Sequence, residues 1–235
     1  MMRDLLYLSE NKMRALVPQL PGQLRRRLGF EAGLNVGVAS ARASLPGEPQ
    51  PSSIALLDAV VEMIEQEKGS RWRTDPDLRA GDWVQFEEEF LYGDAASAGE
   101  ALSGLVYFAA TDGEAPFVLC GSSVHVLDRW QSGDGPSRRV GHFYMDALLD
   151  YARALAGLPD EAAVTEFTPP RTRGSLRYAL GFLTHVETQR DPGWAAGPVR
   201  LSGHARVLAV EPDPEGERPA CVLATPLYVQ YAERG

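Results

Sequence analysis

The chain has 235 residues, 44% of them hydrophobic, and carries a formal net charge of −9. That length supports a substantial core in one large or two small domains, and the composition excludes a fibrous or disordered chain. The acidic balance argues against a surface built to neutralise phosphates, because nucleic-acid affinity comes mainly from clustered Lys and Arg that release counterions.

Lys12 and Lys68 are the only lysines, so nearly all positive charge is arginine. With abundant Ala, Gly and Pro this reads as the coding bias of a high-GC genome. The opening MMRDLLYLSENK sets Asp4 and Glu10 around a short apolar stretch, which is not the pattern of a secretory leader. No run approaches the roughly 18 apolar residues of a membrane span. Cys120 and Cys221 lack zinc-type spacing and read as reduced thiols, so the expected location is the cytoplasm.

In chain order, Leu5 to Ser9 reads as a short strand, and Ser9 is placed to cap a helix carrying Met13, Leu16 and Val17. Pro18 and Pro21 interrupt it. PGQLRRRLG restarts a helix that ends at Gly29, with Arg25, Arg26 and Arg27 in its last turn. Cations there favour the helix dipole, so the triplet is read as a solvated helix end rather than an anion site. LNVGVASA alternates as a strand. The clearest helix is capped by Ser52 or Ser53, lines up Ile54, Leu57, Val61 and Ile64, turns Asp58, Glu62 and Glu65 to water, and stops at Gly69.

WVQFEEEFLY follows, with Val84, Phe86 and Phe90 on the same face as Glu88. A carboxylate between two phenylalanines would be costly to bury without a partner. A bulge or an edge strand would resolve the conflict, and that is the favoured expectation. GLVYFAA and FVLCGSS flank TDGEA, whose Asp112–Gly113 pair suits an antiparallel hairpin. Residues 138 to 156 read as a helix with His142, Asp146 and Asp150 four residues apart. Without a further ligand segment of the HExxH kind, these are expected to line a solvated face, and no metal or cofactor is implied.

EFTPPRTRGS is the best internal break, a candidate lobe boundary near 159–174 within an otherwise single 1–235 unit. Residues 175–186 fit a helix or a strand. VRLSGHARVLAVEP and PACVLATPLYVQYA close the chain as a second long hairpin, with Pro226 implying an edge position or a bulge. The expected architecture is therefore α+β, with mixed and antiparallel sheets, two long β-hairpins and three to five helices.

FVLCGSSVHVLDR concentrates a cysteine, two serines and a histidine. On a regular strand Cys120 and Ser122 point one way, and Ser123 and His125 the other, so Cys120 cannot meet His125. The G-x-S-x-G elbow is missing. Laid beside VRLSGHARVL, the stretch aligns Gly121, Ser123 and His125 with Ser202, His204 and Arg206, and alternation puts Arg200, Ser202, His204 and Arg206 on one face. Two such faces brought together would form a cation-rich pocket for an anionic small molecule. The plainer alternative is the watered side of a half-exposed strand.

With LLYLSENKMRALVPQLP, DWVQFEEEF, FVLCGSS and VLATPLYV in view, the chain resembles uncharacterised actinobacterial proteins encoded near bacterial conflict or defence systems. These begin with a similar strand, a small-residue turn, a Lys-containing helix and PQ(I/L)P. The resemblance is firmest over about the first 22 residues. It implies a sensing or adaptor setting and supplies no catalytic residues.

Two functions follow as expectations. The first is a non-enzymatic cytoplasmic binding or sensing module for an anionic small molecule or a partner protein, using Ser123, His125, Arg200, Ser202, His204 and Arg206. The rival is a serine-type hydrolase using Ser123 or Ser122, with His125 or His204 as base and Glu88 as the acidic group. Neither involves a membrane or nucleic acid, and the oligomeric state is open.

Overall fold

The computed structural model describes residues 4–29, 52–94, 105–110, 116–127, 198–212 and 220–232. The LNVGVASA strand, the 138–156 helix, the 159–174 break and residues 175–186 fall outside them. The chain forms two compact units, Ser9–Ser70 and Met1–Leu8 with Arg71–Gly235.

The first unit is helical. α1 (Glu10–Leu16) runs into a 3-10 turn at Val17–Gln19 that accommodates Pro18. α2 (Gly22–Arg27) starts after Pro21 and ends where Gly29 takes a φ of +80°. Arg27 reaches Glu62 at 2.6 Å, so one of the three terminal arginines tethers a neighbouring helix. That helix, α3 (Ser53–Met63), is capped by Ser52, whose hydroxyl accepts from the Ala55 N–H at 3.1 Å. A single π-helical stretch, Ile64–Lys68, continues it to Gly69, where φ is +67°. Leu57, Val60, Val61, Met63 and Ile64 are buried, while Ile54, expected in the stripe, is exposed. The Lys12 ammonium is desolvated, which lowers its pKa to about 7.

The second unit is built on a closed five-stranded barrel. Its strands are β3 (Trp83–Asp94), β4 (Leu105–Ala110), β5 (Phe117–Ser122), β6 (Val199–Glu211) and β7 (Cys221–Tyr231). β3 pairs with β4, β4 with β5, and β6 with both β3 and β7, all antiparallel. A parallel β5–β7 pairing closes the ring. β1 (Leu5–Leu8) and β2 (Arg71–Trp72) are additions, β1 antiparallel on β7 and β2 parallel on β3.

The structure is thus mainly β, with three α-helices among the described residues, rather than an even α+β mixture. The expected β6–β7 and β4–β5 pairings are present. Instead of two separate hairpins, however, β3–β4–β5 forms a meander that the β6–β7 pair closes into a barrel. Closure gives each of the five strands a neighbouring strand on both sides, which limits edge-to-edge association of such apolar strands.

Inward positions follow the period of two: Val84, Phe86, Phe90, Val106, Phe108, Phe117, Leu119, Leu201, Ala205, Val207, Val222 and Val229 form one core. Phe86, Phe90 and Phe117 meet in tilted and edge-to-face contacts at 5.5 to 5.9 Å between ring centres. Each such pair adds about 0.5–1.5 kcal/mol beyond its buried area. So narrow a barrel needs small residues where neighbours come close. Gly203 lies against the Tyr228 carbonyl and the Phe86 ring, and a Cβ there would collide with both. Pro226 sits beside a register shift in the β6–β7 ladder, the bulge its sequence position implied.

Candidate functional site

β5 and β1 share one edge of β7. β5 pairs with Val222–Ala224 and β1 with Tyr228–Gln230, while β6 occupies the other edge throughout. β5 must therefore leave the sheet where β1 takes over, and its strand stops at Ser122. Ser123–His125 form one 3-10 turn, closed by the Val126 N–H donating to the Ser123 carbonyl at 3.1 Å. The strand alternation expected for Ser123 and His125 does not apply to them.

Gly121 faces into the barrel. There the Tyr7 ring and hydroxyl occupy the space a side chain would need. Tyr7 also meets the rings of Phe108 and His125 edge-on, at 6.1 and 5.7 Å. His125 thus packs beside a core tyrosine, and Val124 and Leu127 project outward. Cys120 lies on the outward side of β5, fully buried, and burial pushes its thiol pKa up, so it stays protonated and unreactive.

β6 turns Arg200, Ser202, His204 and Arg206 to the outside of the barrel, opposite Glu89, Glu87, Gln85 and Trp83 of β3. The ladder holds these four on one face, as the alternation predicts, but their surroundings differ. His204 is 4% exposed and its Nδ1 lies 3.1 Å from the Tyr228 hydroxyl. Arg200 is solvent-exposed and pairs with Glu87 at 3.0 Å. Arg206, also exposed, donates to the Gly81 carbonyl at 3.4 Å. The six-residue spacing separates the two arginines by about 20 Å along the strand. The Ser202–His204–Arg206 face lies outside the barrel and Gly121 inside it, with β7 between β5 and β6. The two aligned segments therefore do not form a shared polar face.

Glu88 is the clearest departure from expectation. The β3–β6 register runs without a shift from Trp83 to Phe90, so Glu88 is not on a bulge; it shares the side of Phe86 and Phe90 and points into the barrel. Its partner is Arg73, which follows β2. The Arg73 Nε donates to the Glu88 carboxylate, the two side chains being 7% and 11% exposed, and the guanidinium lies 5.5 Å from the Phe117 ring centre. β2 aims Arg73 inward, because its parallel pairing with β3 gives Arg73 the same side as Phe86, and the Arg73 N–H donates to the Gln85 carbonyl. Sequence reasoning missed Arg73: it is a single arginine in a loop, fifteen positions from its partner, without a motif to mark it.

Chemically, the hydrolase groups are dispersed. Glu88 is inside the wall and engaged by Arg73, His204 is outside it with Tyr228, and Ser123 and His125 share one short turn. No cluster of three or more metal-binding side chains occurs among the described residues, and no described helix is long and apolar enough to cross a membrane.

The fold and these surroundings define a closed five-stranded mixed β-barrel with a buried ion pair inside and an exposed charged wall outside. Residues 3–233 match the family of unknown function DUF7019, and the chain belongs to that family. No curated protein and no solved structure matches it.

Proposed function

We propose that this protein is a non-enzymatic cytoplasmic binding module that docks a protein through the outer wall of β3 and β6, in a regulatory or defence setting. The observation that carries this reading is the spacing of the two exposed arginines. At about 20 Å apart on one strand they cannot close on one small anion, whereas an extended protein surface can meet both. Arg200 already shares its charge with Glu87, which further weakens the case for a free anion. The separation of Glu88 from His204 by the barrel wall speaks against a hydrolase, since a base and its orienting group must be within hydrogen-bond reach.

A photo-crosslinking residue at position 202, introduced in the native host, tests the reading. The expected product is a defined protein adduct that disappears when Arg200 and Arg206 are both replaced by Glu. A small anion retained in native mass spectrometry, or labelling of Ser123 by a fluorophosphonate, would overturn it.

A further inference from the structure

Tyr92 and Tyr231 meet inside the barrel with their hydroxyl oxygens 3.4 Å apart. Their strands, β3 and β7, are not neighbours, because β6 pairs with both. β6 begins at Val199, opposite Phe90, while β3 runs on to Asp94. Tyr92 takes the next inward position after Phe90, and Tyr231 is the last residue of β7, opposite Leu201. Both pack against the core, and both keep part of their surface in water. Tyr92 is held by stacking on Phe108, at 5.7 Å between ring centres and 29° between planes. The Tyr231 backbone N–H donates to the Asp4 carbonyl at 3.0 Å. An oxygen separation of 3.4 Å is too long for a strong hydroxyl hydrogen bond, so the pair is two positioned phenols in contact.

We infer that this pair is an oxidative crosslinking site, at which a small one-electron oxidant joins the two rings as dityrosine. The inference is independent of the docking reading. Each phenol gives one electron to an oxidant molecule and its hydroxyl proton to water, leaving a phenoxyl radical. The radicals couple through a carbon–carbon bond between ring positions ortho to the oxygens. The two ortho hydrogens then move to the oxygens and restore both phenols. The net change is the loss of two electrons and two protons, with two carbonate radicals, for example, reduced to carbonate.

The surroundings direct oxidation to this place. Cys120, Cys221, Met13 and Met63, whose sulfurs would otherwise react first, are all buried, and oxidation follows exposure. Tyr7, Tyr107 and Tyr228 are buried as well, so among the described residues Tyr92 and Tyr231 are the tyrosines that reach water. Trp72, 53% exposed, is the competitor, but it stands on the outer side of β2 and its oxidation cannot make this bond. The crosslink would join positions 139 residues apart and lock one end of the barrel.

Photogenerated carbonate radical applied to the dilute full chain, followed by peptide mapping, provides the test. The expected product is a single chain lighter by two hydrogens, with dityrosine fluorescence and one crosslinked peptide pair that holds Tyr92 and Tyr231. Tyr92→Phe and Tyr231→Phe should each lose that crosslink, and Trp72→Phe should keep it. Circular dichroism checks that each variant folds, and the wild-type map decides by itself where one does not. The crosslinked chain should unfold at a higher temperature, because the bond restricts the unfolded ensemble. Oxidation that leaves these two tyrosines unlinked, links other tyrosines instead, or joins only separate chains would overturn the inference. An unchanged unfolding temperature would refute the lock.

Discussion

Glu87 and Glu88 are adjacent in the chain and lie on opposite sides of one barrel wall. Glu87 is exposed, 3.0 Å from an arginine that is itself largely in water. Glu88 meets its arginine among phenylalanines. The chemistry of the two pairs is the same, but their energetics are not. In water the Coulomb attraction is screened, and immobilising two long side chains offsets much of what remains. Inside the barrel both charges have lost their hydration, so each depends on the other. Removing one leaves the second buried without compensation. An outer pair of this kind can be spent on recognition, whereas an inner one is committed to holding the loop after β2 to the barrel.

The largest effect should come from breaking the inner pair. Arg73→Leu should lower stability by about 3–5 kcal/mol in urea titrations, and Arg73→Leu with Glu88→Leu should recover most of the loss, because the double variant strands no charge. A single variant that costs no more than an exposed pair would erase the contrast. Gly203→Ala comes next, at about 1–3 kcal/mol, since the added Cβ would strike the backbone carbonyl of Tyr228, which cannot rotate away. Unchanged thermal unfolding would show that the barrel is looser than its ring contacts indicate.

The helical unit extends the contrast through Lys12, a partly buried cation whose pKa is lowered to about 7 by desolvation. Its folded pKa lies below the unfolded value of 10.5, so between these limits the unfolded chain binds more protons and stability rises with pH. Below about pH 7 the penalty is fully present. Lys12→Met should stabilise the protein at pH 6 by on the order of 1–2 kcal/mol and flatten that rise, as read from chemical denaturation across pH. The smallest effect belongs to the outer pair: Glu87→Gln or Arg200→Gln should shift stability by less than about 0.5 kcal/mol. A larger loss in monomeric protein would mean that the wall matters to the fold and not only to docking.

Much of the local structure was legible in the sequence. α1, α2 and α3 begin and end close to where caps, prolines and glycines place them, because those signals act within a few residues. β5, β6 and β7 were legible from alternation, and Pro226 announced its bulge. The outward row Arg200, Ser202, His204 and Arg206 followed from the same period of two. What that row would face did not follow: His204 is sealed against Tyr228 while Arg200 stands in water. Ser123 and His125 failed for a related reason. Their strand-like pattern is sound, but β1 displaces β5 from the edge of β7, and nothing in FVLCGSSVHVLDR records a competitor more than a hundred positions away.

The sequence by itself determined the helix boundaries, the positions of the strands and which residues of each strand share a side, since these depend on backbone propensity and a fixed geometric period. The tertiary structure alone decided which side is inside. Closing β3 against β6 and β5 against β7 turned Glu88 from an expected irregularity into half of a buried ion pair. It also set Arg73 opposite that carboxylate and left Glu87, Glu89, Arg200 and Arg206 on an open wall. Burial is a property of the closed ring, and no single strand carries it.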